Sequence, residues 1–280
     1  VVEAPDTGGI ATGDLVVGIV RHPDPVPCGP CGAGQWDLCR NGQYTEHGIK
    51  ERDGFIRERY RLEPGFAVQA DPSLGRLAVL IEPTSVVAKA WDHVDRIGRR
   101  AHWEPDRALV TGAGPIGLLA AMIGVQAGLD VHVLDRVTEG PKPGLVKDLG
   151  ATYHADLHET DEMFDVVIEC TGVGQLVFHA IEHTAPGGVM CLTGIASDDR
   201  AIPIDASAIN KEMVLNNSVL FGSVNAGRSH YQQAERALTE ADREWLERMV
   251  SRWVPLDRWT EALERRPDDV KTVIEIGALQ

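Results

Sequence analysis

The chain has 280 residues, with 43% hydrophobic and 25% charged, enough for one large domain or two ordinary ones and for a sizeable core, which excludes a disordered protein. Lys and Arg number 27 against 42 Asp and Glu, a formal net charge of −15 that argues against nucleic acid or a membrane surface as partner. Five cysteines are too few for a disulfide scaffold, and no basic stretch precedes an apolar one at the start, so a reducing cytoplasm is expected.

The opening Val1-Val2-Glu3 is strand-like and has no initiator Met, and Gly13 to Val20 reads as a turn followed by a β-branched run. Residues 21 to 54 are rich in Gly, Pro, Cys and polar side chains and read as loop. Phe66 to Ala70 reads as a short strand, so the first 80 residues look like β and loop structure. The character changes at Leu80-Ile81-Glu82-Pro83, where Pro83 suits a first helical turn and Val86, Val87, Ala90, Trp91 and Val94 follow at helical spacing.

From residue 108 strands and helices alternate. Ala108–Thr111, Val131–Leu134, Val166–Cys170, Val189–Thr193 and Val219–Gly222 read as strands, and Ile116–Ala127 reads as a helix. That alternation predicts an α/β fold with a doubly wound parallel sheet. Ala108 to Leu129 carries no charge over 22 positions, long enough to span a bilayer, but its glycines fit a buried strand, turn and helix better. Helices are expected over Tyr231–Leu238, Arg243–Trp253 and Leu256–Glu264, and a last strand over Thr272–Ile276.

Gly112-Ala113-Gly114-Pro115-Ile116-Gly117 fits GxGxxG between a strand and a helix, and Asp135 lies 23 residues after Gly112 at the end of the next strand. The glycines allow the tight turn, the approach of a pyrophosphate and close helix–strand packing. The helix start then meets the pyrophosphate with free N–H groups. Asp135 can accept hydrogen bonds from the adenosine ribose, and its charge opposes a 2′-phosphate, which favours NAD over NADP. Arg136 pulls the other way, since it could reach a 2′-phosphate or stack on adenine.

Cys28, Cys31 and Cys39 cluster in a Pro/Gly-rich loop with thiolate spacing for a structural Zn²⁺, Asp24 and His22 being nearby candidates for a fourth ligand; three reduced thiols without metal are the alternative. By residue type alone, Glu82 reads as a carboxylate favoured at a helix N-terminus, Glu46 as a solvated loop charge, and His47 as an ordinary loop histidine. Cys170 and Cys191 read as small hydrophobes in buried strands.

Together these features resemble the zinc-dependent medium-chain dehydrogenase/reductase superfamily, and within it the glucose 1-dehydrogenase family best known from archaea. The resemblance is carried by Leu80-Ile81-Glu82-Pro83, Gly114-Pro115-Ile116-Gly117, Asn210 to Asn217, Gly222 to Asn225 and Tyr231 to Ala234, and covers nearly the whole chain. It implies a GroES-like catalytic domain over 1–84, a Rossmann domain over 85–224 and a return to the catalytic domain over 225–280. It implies that Glu82 lies at the catalytic zinc and meets the sugar, that Glu46 accepts hydrogen bonds from sugar hydroxyls, and that Asn225 lies near nicotinamide and substrate. Thr193, Gly194, Ile195, Ser223, Val224 and Lys271 match segments along the cofactor. Cys28, Cys31 and Cys39 match three of four structural-zinc cysteines, with Asp24 near the place of the missing one. A homo-oligomer is expected on the same ground.

The family's remaining catalytic zinc ligands, a Cys or Asp and a Gly-His-Glu motif, precede the position of Val1. An N-terminal truncation of several dozen residues is therefore expected. The activity implied is oxidation of an aldose, D-glucose first, at C1 to the lactone, with hydride passing to NAD(P). The alternatives are another polyol or alcohol dehydrogenase of the superfamily, or a dinucleotide-binding module without redox activity.

Overall fold

The computed structural model describes residues 1, 3–4, 9–156, 162–196 and 201–277; Val2 of the expected opening strand lies outside them. The chain divides into two compact units, one formed by Val1–Val86 and the chain from Val224 onward, the other by Val87–Ser223.

The first unit opens with short strands: β1 (Val16–Gly18), β2 (Arg21–His22), β3 (Thr45–His47), β4 (Glu51–Arg52) and β5 (Ala67–Gln69). β1 pairs antiparallel with β5, and β2-β3-β4 form a second small sheet. The segment 21–54 is thus not loop throughout. Between β2 and β3 lies the one-turn helix α1 (Gly29–Gly32), started by Pro30 in its first turn. A 3-10 segment, Pro72–Leu80, is capped by Asp71 accepting from the Ser73 N–H, and leads into α2 (Ile81–Gly98).

The second unit alternates β6 (Arg107–Thr111), α3 (Pro115–Gln126), β7 (Asp130–Leu134), α4 (Pro141–Asp148), β8 (Thr152–His154), β9 (Phe164–Glu169), α5 (Gly174–Glu182), β10 (Thr184–Leu192), α6 (Ala206–Asn216) and β11 (Val219–Gly222). The six strands are parallel in the order β11-β10-β9-β6-β7-β8, so neighbours diverge on either side of β6, the doubly wound arrangement with its switch point there. Leu109, Leu134, Phe164, Val167, Ala180, Ile181 and Met190 form its core. The charge-free stretch is β6, the turn and α3. Leu118 to Met122 are buried without a break, and Trp91 Nε1 of α2 donates to the Ala120 carbonyl at 3.1 Å. Among the described residues no helix is long and apolar enough to cross a membrane.

β10 begins at Thr184, five residues before the expected start, because Gly187-Gly188 sit inside it at a register shift rather than ahead of it. β8 has no apolar alternation and was not expected.

The chain returns to the first unit through α7 (Arg228–Glu240), α8 (Arg243–Met249), β12 (Arg252–Pro255) and β13 (Thr272–Glu275). The helix expected over Arg243–Trp253 stops at Met249, because Arg252–Pro255 pairs parallel with β13. Leu256–Leu263 is a 3-10 segment kinked at Arg258 rather than an α-helix.

Candidate active site

The carboxyl end of β6 turns through Gly112, whose φ of 91° is open to glycine and strained for other residues, into Gly114 and the first helical residues Pro115, Ile116 and Gly117. A Cβ on Gly117 would stand 1.7 Å from the Gly112 carbonyl oxygen, so α3 packs against its own turn only because position 117 has no side chain. Asp135, after β7, closes this cradle. Its Oδ2 accepts from the Ala113 N–H at 2.7 Å and from Lys142 Nζ at 3.0 Å, and its Oδ1 from the Val137 N–H at 2.9 Å. Burial pushes the carboxyl up, but these donors and the ammonium outweigh it and hold the pKa below the ordinary value. Lys142 is a site residue that the sequence reading missed; a lysine in the first turn of the helix after Asp135 was the available signal. Arg136 is exposed.

Glu169 is a second residue missed. It is fully buried at the end of β9, and its carboxylate accepts from the Thr171 N–H at 2.6 Å, the Gly172 N–H at 3.0 Å and Thr111 Oγ1 at 3.2 Å. Its carbonyl accepts from the N–H groups of Thr193 at 2.8 Å and Gly194 at 3.1 Å. One residue therefore ties the loops after β9 and β10 together at the carboxyl end of the sheet. Ile195 beyond it is exposed, and Ser223 is buried with its N–H donating to the Leu192 carbonyl at 2.9 Å.

In the first unit the structure brings together Glu46 and Asn225, 179 residues apart in sequence. Asn225 Nδ2 donates to Glu46 Oε1 at 2.7 Å, and Arg21 Nε donates to the same oxygen at 2.9 Å. Glu46 is 7% exposed, so it is not the solvated loop charge that its residue type suggested. Arg21, unnoticed in sequence, is held by the Asp37 carbonyl at 3.1 Å and by the Tyr44 ring, 3.9 Å from its guanidinium carbon. Asn225 adopts a left-handed φ of 62°, and its Oδ1 accepts from the Ala226 N–H at 2.8 Å. Val224 before it is exposed.

Glu82 stands in the first turn of α2, where the helix favours a carboxylate. Burial nevertheless raises its pKa above the ordinary value, against the pull of the Lys271 ammonium. Tyr231 is almost fully buried. Its phenol pKa is raised, first by burial and then by the Glu82 charge, and its oxygen accepts from the Val20 N–H at 3.3 Å.

The Sγ atoms of Cys28, Cys31 and Cys39 lie within 4.8 Å of one another, a donor set suited to zinc. The Arg40 N–H is the first of the contacts that lower the Cys28 thiol to about 7, while burial pushes Cys31 up to about 11. Asp24 is not part of this trio. Its carboxylate accepts from the Val26 N–H and from the Asn41 amide, and Asn41 Oδ1 in turn receives the Cys39 thiol at 3.0 Å.

His22 stacks on Phe66 at 3.7 Å between ring centroids and is not among the ligand atoms gathered with the three thiols. Burial, then the charges of Arg52 and His47, lower its pKa to about 4. A folded value below the ordinary 6.5 means that this contribution to stability is present above pH 6.5 and is lost as the pH falls through about 4. His22→Phe, which keeps the stack, is expected to flatten the fall of melting temperature over that window. Equal pH slopes for variant and wild type would contradict the assignment.

A doubly wound sheet with a glycine cradle and a closing carboxylate, together with a β-rich unit bearing a thiol lobe, defines a dinucleotide-binding dehydrogenase of the medium-chain type. The chain belongs to the family described as glucose dehydrogenase C-terminus, whose model matches residues 75–276. It is 37% identical to the glucose 1-dehydrogenase of Methanocella arvoryzae over 98% of this chain and 79% of that one. Identity to glucose 1-dehydrogenase 1 of Caldivirga maquilingensis is 38%, covering 96% and 77%. The solved Haloferax mediterranei glucose dehydrogenase in complex with NADP, Zn and gluconolactone matches with a TM-score of 0.90 at 31% identity, covering 99% of this chain and 81% of that one.

Proposed function

We propose that the chain acts in the zinc-dependent oxidation of an aldose, D-glucose foremost, at C1 to the lactone, with a nicotinamide dinucleotide as hydride acceptor. The observation that carries this reading is the Glu46–Asn225 pair, a buried carboxylate joined at 2.7 Å to a half-buried amide in a chain whose relatives are glucose 1-dehydrogenases. Two carboxylate oxygens and an amide are a suitable set for reading sugar hydroxyls. Glu82 would serve the catalytic zinc and the sugar, with Lys271 as its counter-charge. Zinc, when bound, polarises the C1 oxygen and lowers its pKa. Cys28, Cys31 and Cys39 would hold a structural zinc, with Asp24 anchored behind them through Asn41. Gly112 to Gly117 would bind the pyrophosphate, Thr193, Gly194, Ile195, Ser223 and Val224 would run along the cofactor, and Asn225 would align nicotinamide and sugar.

Because Glu46 is sealed to Arg21, the test of the sugar role is the shape-conserving Glu46→Gln. It is expected to lower kcat/KM for glucose about 30-fold, the ~2 kcal/mol of one charged hydrogen bond. Activity on a simple alcohol should change little. An equal loss on both substrates would point to a different alcohol as the natural one.

The cofactor preferred on this reading is NAD, with NADP accepted. Asp135 opposes a 2′-phosphate, whereas Lys142 and Arg136 supply positive charge near it. Asp135→Asn is expected to shift the ratio of kcat/KM values toward NADP about tenfold, one charge contact's worth. An unchanged ratio would remove Asp135 as the selector.

A further inference from the structure

The second unit carries a cluster of ligand atoms that the dinucleotide cradle does not use. His132 on β7 and His154 on β8 share one face of the sheet, because Leu134 pairs with His154 and His132 lies two residues before Leu134. His132 Nδ1 lies 2.8 Å from His154 Nε2 and 3.0 Å from Glu162 Oε2. All three ligand atoms fall within 4.8 Å of one another. On its other side His132 Nε2 meets Asp130 Oδ2 at 3.3 Å.

The chemistry of that arrangement is specific. In the tautomer whose Nε2–H is donated to Asp130, Nδ1 carries the lone pair that a metal would take. Nδ1 faces a second imidazole nitrogen and a carboxylate oxygen, which a shared cation would hold together. His132 is 5% exposed and sits edge-on to Phe164, in surroundings that strengthen any charge interaction. Two imidazoles and one carboxylate, converging, are the donor set of a borderline divalent cation.

We propose that His132, His154 and Glu162 form a binding site for a divalent transition metal of the zinc class, with Asp130 orienting His132. The site joins the edge strand β8 to β7 and to the segment leading into β9. β8 is also what holds Asp135 in place: the His154 carbonyl accepts the Asp135 N–H at 3.0 Å, and Tyr153 Oη donates to the Asp135 carbonyl at 2.9 Å. Metal at this site stiffens the strand that supports the ribose end of the dinucleotide cradle.

The test is a Zn²⁺ titration of the metal-stripped full chain by calorimetry, beside His154→Gln and Glu162→Gln. Each variant is expected to bind one equivalent fewer than wild type, or to bind that equivalent at least about 30-fold more weakly. The thiolate-to-metal absorption of the cysteine lobe, read with Co²⁺, should be the same in all three, which separates the two sites. Zn²⁺ should also slow amide hydrogen exchange across residues 152–154 in wild type and not in Glu162→Gln. Wild-type stoichiometry and affinity in both variants, with the same slowing of exchange, would overturn the proposal.

Discussion

Gly117→Ala is expected to weaken NADH binding by more than about 100-fold and to destabilise the second unit by about 3 kcal/mol, the upper end of ordinary overpacking. The added Cβ would stand 1.7 Å from the Gly112 carbonyl oxygen and 2.9 Å from its carbon, both backbone atoms that no rotamer change can move. Either α3 withdraws from β6 or the turn opens. In both cases the N–H groups at the helix start leave the place where a pyrophosphate would meet them. The Asp135 bond to the Ala113 N–H, inside the same turn, would be strained along with it. Calorimetric titration with NADH and a thermal melt check this, and a dissociation constant within threefold of wild type would refute it.

Arg21→Met is expected to cost about 3–5 kcal/mol, the usual loss when one partner of a buried ion pair is removed. The variant keeps the stem but leaves the Glu46 carboxylate, buried in β3, with only the Asn225 amide among the described residues to balance it. Arg21→Met with Glu46→Leu should recover most of that stability, because no buried charge then lacks a partner. The double variant should nonetheless lose activity on glucose, because the Glu46 carboxylate is gone. Chemical denaturation of the two variants distinguishes the cases: a loss below about 1 kcal/mol for Arg21→Met would mean that the pair is solvated and contributes little.

The parts of the site written in consecutive residues were legible in the sequence. Gly112 to Gly117 and the cysteine trio declare themselves because their chemistry depends on short spacings that the chain fixes locally. Asp135 was legible because the alternation of strand and helix sets where the next strand must end. Glu46 and Asn225 were reached only through resemblance, since 179 residues separate them and neither has a distinctive neighbourhood. Arg21 gave no signal at all. Its role comes from the antiparallel register that sets Arg21 opposite Glu46, a tertiary fact. Glu169 could have been found, as a carboxylate ending an apolar strand just before Thr171-Gly172 must have partners when buried.

The fold divides in the same way. The long buried strands of the second unit show as apolar runs because helices cover both faces of the sheet. The short strands β8 and β12 do not. Arg252-Trp253-Val254-Pro255 has no alternation of its own, and becomes a strand because Thr272–Glu275 offers it a parallel partner. Helical spacing from Arg243 onward therefore carried the expected helix past its real end at Met249.

The chain serves a zinc-assisted oxidation of glucose by a nicotinamide dinucleotide. The most direct test, on the full-length protein that carries the segment preceding Val1, follows NADH and NADPH formation by their near-ultraviolet absorbance with D-glucose as the only substrate, with and without a zinc chelator. Reduction of NAD that stops on chelation and returns when Zn²⁺ is restored is expected. Confirmed dinucleotide binding with no reduction of either cofactor by any aldose would contradict it, and would leave a binding module or a different alcohol as substrate.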